Sequence, residues 1–435
     1  MTVELVNTGS ELLFGKILNT HQQWLCRRLT DLGHTVLRQV AVPDTGESIE
    51  QAVREALGRA DLVITTGGLG PTCDDLTRER IAALLGRRLF PDASVAENIA
   101  RYFAGRRLTV PARTVVETLV PEGAEVLPNH FGTAPGLTMQ VLPNPFREGG
   151  AGSWLVMLPG PPRELRPMFE QSLVPRLNMW FPEAEGFVCR TLKTTGIGES
   201  SMEERIGDPL KPLVDAGMEL GFCARVGEVD VRFVGRGPGG IAQVAEAEAI
   251  TRALVGANIF GAEDDVLESV IVRGFQKRGL TLALAESCTG GHIANRVTNI
   301  PGASAVLLAG YVPYANASKV RELGVSSTTL ETFGAVSEET VREMALGARR
   351  VSGADYSVAV TGIAGPTGGS AEKPVGLVYM AVAGPSEVLV QRKVNAFDRE
   401  TFKYLTAQQT MMMLWKAAIA TESPRTTGPE SPVGN

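Results

Sequence analysis

The stretch Ala283-Leu284-Ala285-Glu286-Ser287-Cys288-Thr289-Gly290-Gly291 decides the reading of this chain. Leu282 to Ala285 is a short apolar run, as a buried strand requires, and Ser287 stands just past its end. Two glycines follow, and then Ile293, Ala294 and Val297 recur at the spacing of one helical face. Strand, polar turn and helix in that order form the unit of an α/β fold. A hydroxyl at such a turn lies beside backbone N–H groups that the first helical turn leaves unpaired. Those groups can hold an anion, either a phosphate or the oxyanion of a tetrahedral intermediate. On these residues alone Ser287 reads equally as a helix cap or as a nucleophile.

Around that stretch lie 435 residues, too many for one core, so two or three domains are expected. An apolar fraction of 44% and a charged fraction of 21% are those of an ordinary globular protein. The net charge of −6 excludes a general nucleic-acid binder, because no basic excess exists to neutralise phosphates. No apolar run reaches the length of a bilayer span. Met1-Thr2-Val3-Glu4-Leu5 has neither the basic region nor the apolar core of an export signal, so a cytoplasmic location is expected. The five cysteines, Cys26, Cys73, Cys189, Cys223 and Cys288, form no CxxC pair, which excludes a disulfide framework or a zinc cage.

Upstream, strands are expected at 3–6, 35–42 and 61–66, with helices at 18–32 and 49–57 between them. That alternation predicts a parallel sheet covered on both faces, a three-layer domain over 1–174. After the third strand comes Gly67-Gly68-Leu69-Gly70-Pro71-Thr72-Cys73-Asp74-Asp75. Glycines there permit close approach of a ligand, and the loop sits where open α/β sheets bind one. Asp74 and Asp75 read either as ligands to a hard cation on phosphate or as caps of the helix at 76–85. The Pro- and Gly-rich segment 143–154 reads as an exposed hairpin loop. Residues 175–261 read as a small α+β unit, a linker or dimerisation surface: a strand at 190–195, a helix capped by Ser200, an alternating strand at 229–234 and a helix at 241–255.

In the α/β domain at 262–421, a helix at 266–278 is stopped by Gly279, and Ser337 caps another. Buried strands are expected at 306–309, 356–360 and 377–382, with a closing helix at 401–419. Polar loops after two of the strands bring Ser287 and Thr361 to one sheet edge. The polar, Pro-rich segment 422–435 is expected to be disordered.

These motifs carry a resemblance. The Glu286-Ser287-Cys288 stretch, Tyr314-x-Asn316-x-x-Lys319, Gly334-Ala335-Val336-Ser337, Thr361-Gly362-Ile363-Ala364-Gly365-Pro366 and Lys373-Pro374-Val375-Gly376 resemble, in order and spacing, the C-terminal deamidase domain of the CinA family. Gly9-Ser10-Glu11-Leu12-Leu13, Thr66 to Thr72 with Asp74-Asp75, Gly132 to Gly136 and Leu158 to Pro162 resemble its N-terminal domain, which is similar to the MoaB/MogA fold. The chain departs from the family pattern at Cys73, where Ser is usual, at His21, where Asn is usual, and in lacking a Gly between Phe397 and Asp398.

The resemblance implies hydrolysis of the carboxamide of nicotinamide mononucleotide (NMN) to nicotinic acid mononucleotide and ammonia. It also implies an ADP-ribose pyrophosphatase in the N-terminal domain. Ser287 is then the nucleophile. Only four histidines exist, and only His292 lies near it in sequence, without an evident acidic partner. Lys319 is therefore the expected base, provided that it is desolvated, and Tyr314 is expected to relay a proton or orient it. Gly290, Gly291, Thr361, Gly362 and Gly365 are expected to hold substrate, and Arg399 its phosphate. In the N-terminal domain Glu11, Asp44, Gly67, Gly68, Gly70, Thr72, Asp74 and Asp75 form the implied nucleotide site. Asp44, Asp74 and Asp75 are its implied ligands to a divalent ion (Mg, Mn or Co), with K as a further ion. No cofactor is expected at the deamidase site. The implied partners are NMN, ADP-ribose and a second copy in a homodimer, with neither nucleic acid nor membrane. The alternatives are an N-terminal molybdopterin-type module that binds without turnover, or a role in competence or DNA damage through a protein partner.

Overall fold

The computed structural model describes residues 1–182 and 187–420, so the expectation for 422–435 lies outside the described residues. The chain forms two compact units, Met1–Cys189 and a second that begins at Arg190.

In the first unit, β1 (Thr2–Thr8), β2 (Thr35–Val42) and β3 (Leu62–Thr66) run parallel, with β1 between the other two. The short β4 (Leu89–Pro91) and β5 (Leu119–Pro121) pair separately. β6 (Glu125–Leu127), β7 (Gly136–Val141) and β8 (Ser153–Leu158) complete the main sheet in the order β2-β1-β3-β8-β7-β6. The parallel core is as the alternation predicts. β7 departs from it by running antiparallel to both neighbours, because a hairpin rather than a helix joins it to β8. Both faces are covered. Val6, Val63 and Leu155 pack toward the helix Gly46–Leu57, while Leu5, Ile64 and Val156 pack toward Thr20–Asp31 and Pro162–Met168. The hairpin segment 143–154 is not simply exposed: Asn144 is buried and donates to Leu57 O (2.8 Å) and Ser153 Oγ (3.0 Å).

The second unit opens with the sheet β10-β11-β9-β12, built from β9 (Val188–Thr195), β10 (Glu219–Arg225), β11 (Glu228–Gly235) and β12 (Ile259–Ala262). Helices Glu199–Asp215 and Gly240–Val255 pack with it. Ser200 lies inside the first of these, whose N-cap is Gly198 with no side-chain cap, so the expected serine cap is not formed.

The remaining sheet has the order β14-β13-β15-β16-β17: β13 (Leu282–Glu286), β14 (Leu307–Tyr311), β15 (Tyr356–Gly362), β16 (Leu377–Ala383) and β17 (Val388–Val394). β13 is parallel to β14 and β15, and β16 and β17 return antiparallel. Alternation splits β13 between two cores. Leu282 and Leu284 pack with the helices Leu267–Arg278 and Arg399–Trp415, and Ala283 and Ala285 pack with Glu338–Ser352. β14 is an edge strand with Leu308 half exposed, not the buried strand its apolar run predicts.

Candidate active site

Adjacent parallel strands end level. Glu286 of β13 pairs with Val360 of β15, and Ser287 N–H donates to Val360 O at 3.0 Å. Ser287 and Thr361 therefore leave the sheet side by side at one edge, where ligands of open α/β sheets collect.

Glu286 carries the local architecture. Its carboxylate is 1% exposed and accepts from the N–H groups of Gly291 (3.1 Å), Ile293 (3.0 Å) and Ala294 (2.8 Å). A buried anion has thus taken the start of the helix His292–Thr298, the place where the sequence reading put a phosphate or an oxyanion. Gly290 N–H is also committed, to Ser287 O at 3.2 Å. The N–H groups of Gly290 and Gly291, two of the residues expected to hold substrate, are thus bonded within the turn itself. The N–H groups of Cys288 and Thr289, the two residues after Ser287, face the Cys288 sulfur, a weak acceptor.

Lys319 sits near the start of the helix Asn316–Leu323 and is 1% exposed. Its Nζ lies 3.2 Å from Ser287 Oγ, 2.9 Å from Pro313 O and 3.2 Å from Tyr314 O. Burial lowers its pKa, and no carboxylate pairs with it among the described residues. As an ammonium it donates to Ser287 Oγ and to both carbonyls; once neutral it keeps the two carbonyls and turns its lone pair to the serine O–H. Tyr314 therefore positions Lys319 through its backbone carbonyl. Its hydroxyl, on an exposed ring, accepts from Arg399 Nη2 at 3.1 Å and does not meet Lys319, which corrects the relay.

Arg399 also donates to Gly365 O at 2.9 Å, so its guanidinium clamps two loops together. Thr361 is likewise committed: its hydroxyl donates to Ala335 O at 2.7 Å. Lys373 Nζ donates to Phe333 O (2.7 Å) and Val336 O (2.8 Å). A Cβ on Gly362 would lie 2.7 Å from Leu377 O, so that glycine serves strand packing. Four of the sequence motifs thus interlock at this edge.

Two rival nucleophile arrangements fall away. Cys288 is buried and its thiol is pushed up to about 12 by burial, so it is protonated at neutral pH. His292 makes no hydrogen bond to Ser287, and burial first, then Arg296, holds its pKa below the ordinary histidine value. Glu286 is the residue that sequence reasoning passed over. Its signal was present: a carboxylate closing a strand buried on both faces must find donors, and the next helix start supplies them.

In the first unit Glu11, Asp44, Thr72, Asp74 and Asp75 line a cavity of about 580 Å³ together with Gly67, Gly68 and Gly70. Gly67 has φ 94°, and a Cβ there would stand 2.7 Å from Thr8 O, so the β3 loop closes onto β1 only with glycine. Asp44 accepts from Ser10 N–H at 2.8 Å. Asp75 accepts from Thr72 N–H (2.9 Å) and its hydroxyl (2.6 Å), and the same hydroxyl contacts Asp74. Among the described residues no three His, Cys, Asp or Glu side chains converge as a metal-ligand set. The donors do not fit an ion held by protein alone. They fit a hydrated divalent ion whose remaining ligands are phosphate oxygens brought by a substrate. The cavity also holds Glu117, which sequence reasoning missed within an irregular segment. It is fully buried, accepts from the Thr133 hydroxyl at 2.9 Å, and is pushed up to about 7 by burial.

Comparison with known proteins matches three family models in succession. Residues 4–179 match the "Probable molybdopterin binding domain", 189–261 the damage-inducible protein CinA KH domain, and 264–418 the CinA C-terminal domain. The N-terminal unit is thus of the MoaB/MogA-like kind. A competence/damage inducible protein, CihA, from Agrobacterium tumefaciens, whose crystal structure is known, is 46% identical with a TM-score of 0.34, covering 34% of this chain and 92% of its own. A CinA-like protein of Anaeromyxobacter sp. is 40% identical over 415 residues, 95% of this chain and 98% of its own. Another, of Akkermansia muciniphila, is 43% identical over 418 residues, 95% of this chain and 97% of its own. With similarity of that depth running through all three segments, this chain belongs to the CinA family.

Proposed function

We propose that the C-terminal site hydrolyses the carboxamide of NMN, with Ser287 as nucleophile and Lys319 as base. The observation that carries the reading is the buried Lys319 amine, 3.2 Å from Ser287 Oγ and without a counter-ion among the described residues. An amide is a poor electrophile, and passing through an acyl-enzyme divides one high barrier into two lower ones. Ser287 Oγ attacks the carboxamide carbon as its proton moves to Lys319 Nζ. The oxyanion that forms accepts from the Cys288 and Thr289 N–H groups, being a stronger acceptor than the Cys288 sulfur they now face. Lys319 returns the proton to the leaving nitrogen, and ammonia departs from a Ser287 ester. Water then attacks that ester, giving its proton to the same amine, and nicotinic acid mononucleotide leaves. Replacing Ser287 by Ala lowers ammonia release from NMN by roughly 10³-fold or more. Replacing Cys288 by Ser keeps the rate within a few-fold. Equal rates for wild type and Ser287→Ala end the proposal.

For the N-terminal cavity we propose metal-dependent cleavage of ADP-ribose. A diphosphate cannot settle among Glu11, Asp44, Asp74 and Asp75 without a cation between them. Asp44, Asp74 and Asp75 would hold a divalent ion, which would screen that repulsion. Formation of AMP from ADP-ribose with Mg, Mn or Co, and its loss in Asp74→Ala/Asp75→Ala, is the expected result. If no ion supports turnover, the cavity binds without cleaving.

A further inference from the structure

The helix Arg399–Trp415 presents two cations toward the Ser287 edge, and they stand in different circumstances. Arg399 and Lys403 are one turn apart, so their side chains share a face. The Arg399 guanidinium is committed to Gly365 O and the Tyr314 hydroxyl, and turning it to a phosphate would break both bonds. Lys403 is half-buried and makes no ion pair or hydrogen bond among the described residues. Its Nζ lies 3.8 Å from the point that a Cβ on Gly290 would occupy. The free ammonium therefore hangs over the loop that carries Ser287.

A cavity of about 760 Å³ opens at Lys403. Arg225 and Val226, at the tip of the β10–β11 hairpin, supply part of its wall, and His292, Glu400 and Tyr404 supply much of the rest. His292 Nε2 is buried there without a partner. Arg225 is held by Asp230 (2.6 Å) and Glu228 (3.6 Å), so Lys403 is the uncommitted cation of this cavity among the described residues.

We propose that Lys403, with the hairpin tip opposite, forms the subsite for the phosphate of the substrate nucleotide. The middle module, and not the C-terminal domain alone, then sets the preference for a phosphorylated nucleoside. An ammonium with no protein partner and one wet side gains a charge-assisted bond from a phosphate at no loss elsewhere. The subsite rests on the amidase reading above.

The test compares NMN with nicotinamide riboside, which carries the same carboxamide and no phosphate. In Lys403→Ala, KM for NMN rises roughly tenfold or more while kcat stays within about twofold, as loss of uniform binding requires. The riboside is unaffected, Lys403→Arg keeps most of the affinity, and Val226→Asp raises KM for NMN alone. An unchanged KM for NMN, or an equal change for both compounds, overturns the proposal. Calorimetric titration of NMN into Ser287→Ala, with and without Lys403→Ala, reads binding without turnover. If the wild type releases no ammonia but this binding depends on Lys403, the amidase reading falls and the subsite stands. If ammonia is released and binding is indifferent to Lys403, the subsite falls. If NMN neither reacts nor binds, both fall.

Discussion

Burial holds the Lys319 amine below the ordinary lysine value of 10.5, and no carboxylate lies against it to restore the charge. Its base form grows as pH rises through that lowered pKa, so kcat/KM for NMN climbs with pH and levels off, with the rising limb below the ordinary lysine range. Replacing Lys319 by Arg lowers ammonia release by roughly 10²–10⁴-fold at every pH, because a guanidinium does not give up its proton. Measuring ammonia release across the neutral and alkaline range checks both; an active arginine variant removes Lys319 as base. At this scale the local residues left Ser287 open between cap and nucleophile; the resemblance paired it with Lys319, and the two side chains meet at 3.2 Å. The place of the Tyr314 hydroxyl was not legible. Which end of a tyrosine meets a lysine depends on the backbone path after Pro313, which no residue type announces.

The strand-to-helix turn stands on Glu286, which satisfies three backbone N–H groups at once. Glu286→Ala leaves those donors unpaired and destabilises by on the order of 3 kcal/mol. Denaturant unfolding measures the loss, and amidase activity falls with it because Ser287 adjoins the cap. Glu286→Gln recovers part of the stability, since its one carbonyl oxygen replaces two acceptors and its NH2 faces donors. If Glu286→Ala is as stable as wild type, the cap carries nothing. Most interior strands were legible from their apolar runs. Edges were harder. β14 read as buried because its residues are apolar, yet it borders the sheet. β17 went unseen because Gln391, Arg392 and Lys393 break its pattern, and charge on an edge strand is what keeps it from pairing further.

Each compact unit has its own hydrophobic cores and its own cavity or edge site. The two proposed activities therefore separate. Asp74→Ala/Asp75→Ala removes AMP formation and leaves ammonia release intact, and Ser287→Ala does the reverse. Paired assays on both variants check this, and loss of both activities in either one argues against independent sites. The sequence reading placed its boundaries at 174/175 and 261/262, whereas the two compact units divide at Cys189/Arg190. Within the second unit the tie between the middle module and the closing helix was not legible: Gln408 bonds Glu228 (2.9 Å) and Thr195 (3.3 Å), contacts that no local pattern encodes.

The thiol beside Ser287 has a practical corollary. Held as neutral S–H within the core, Cys288 offers almost no thiolate to peroxide or an alkylating reagent at neutral pH, whereas Cys73 and Cys223 lie open to solvent. In a Cys223→Ser variant, which spares the β10–β11 hairpin from labelling, a maleimide dye on Cys73 would sit on the glycine-rich loop of the N-terminal cavity and report optically on what arrives there.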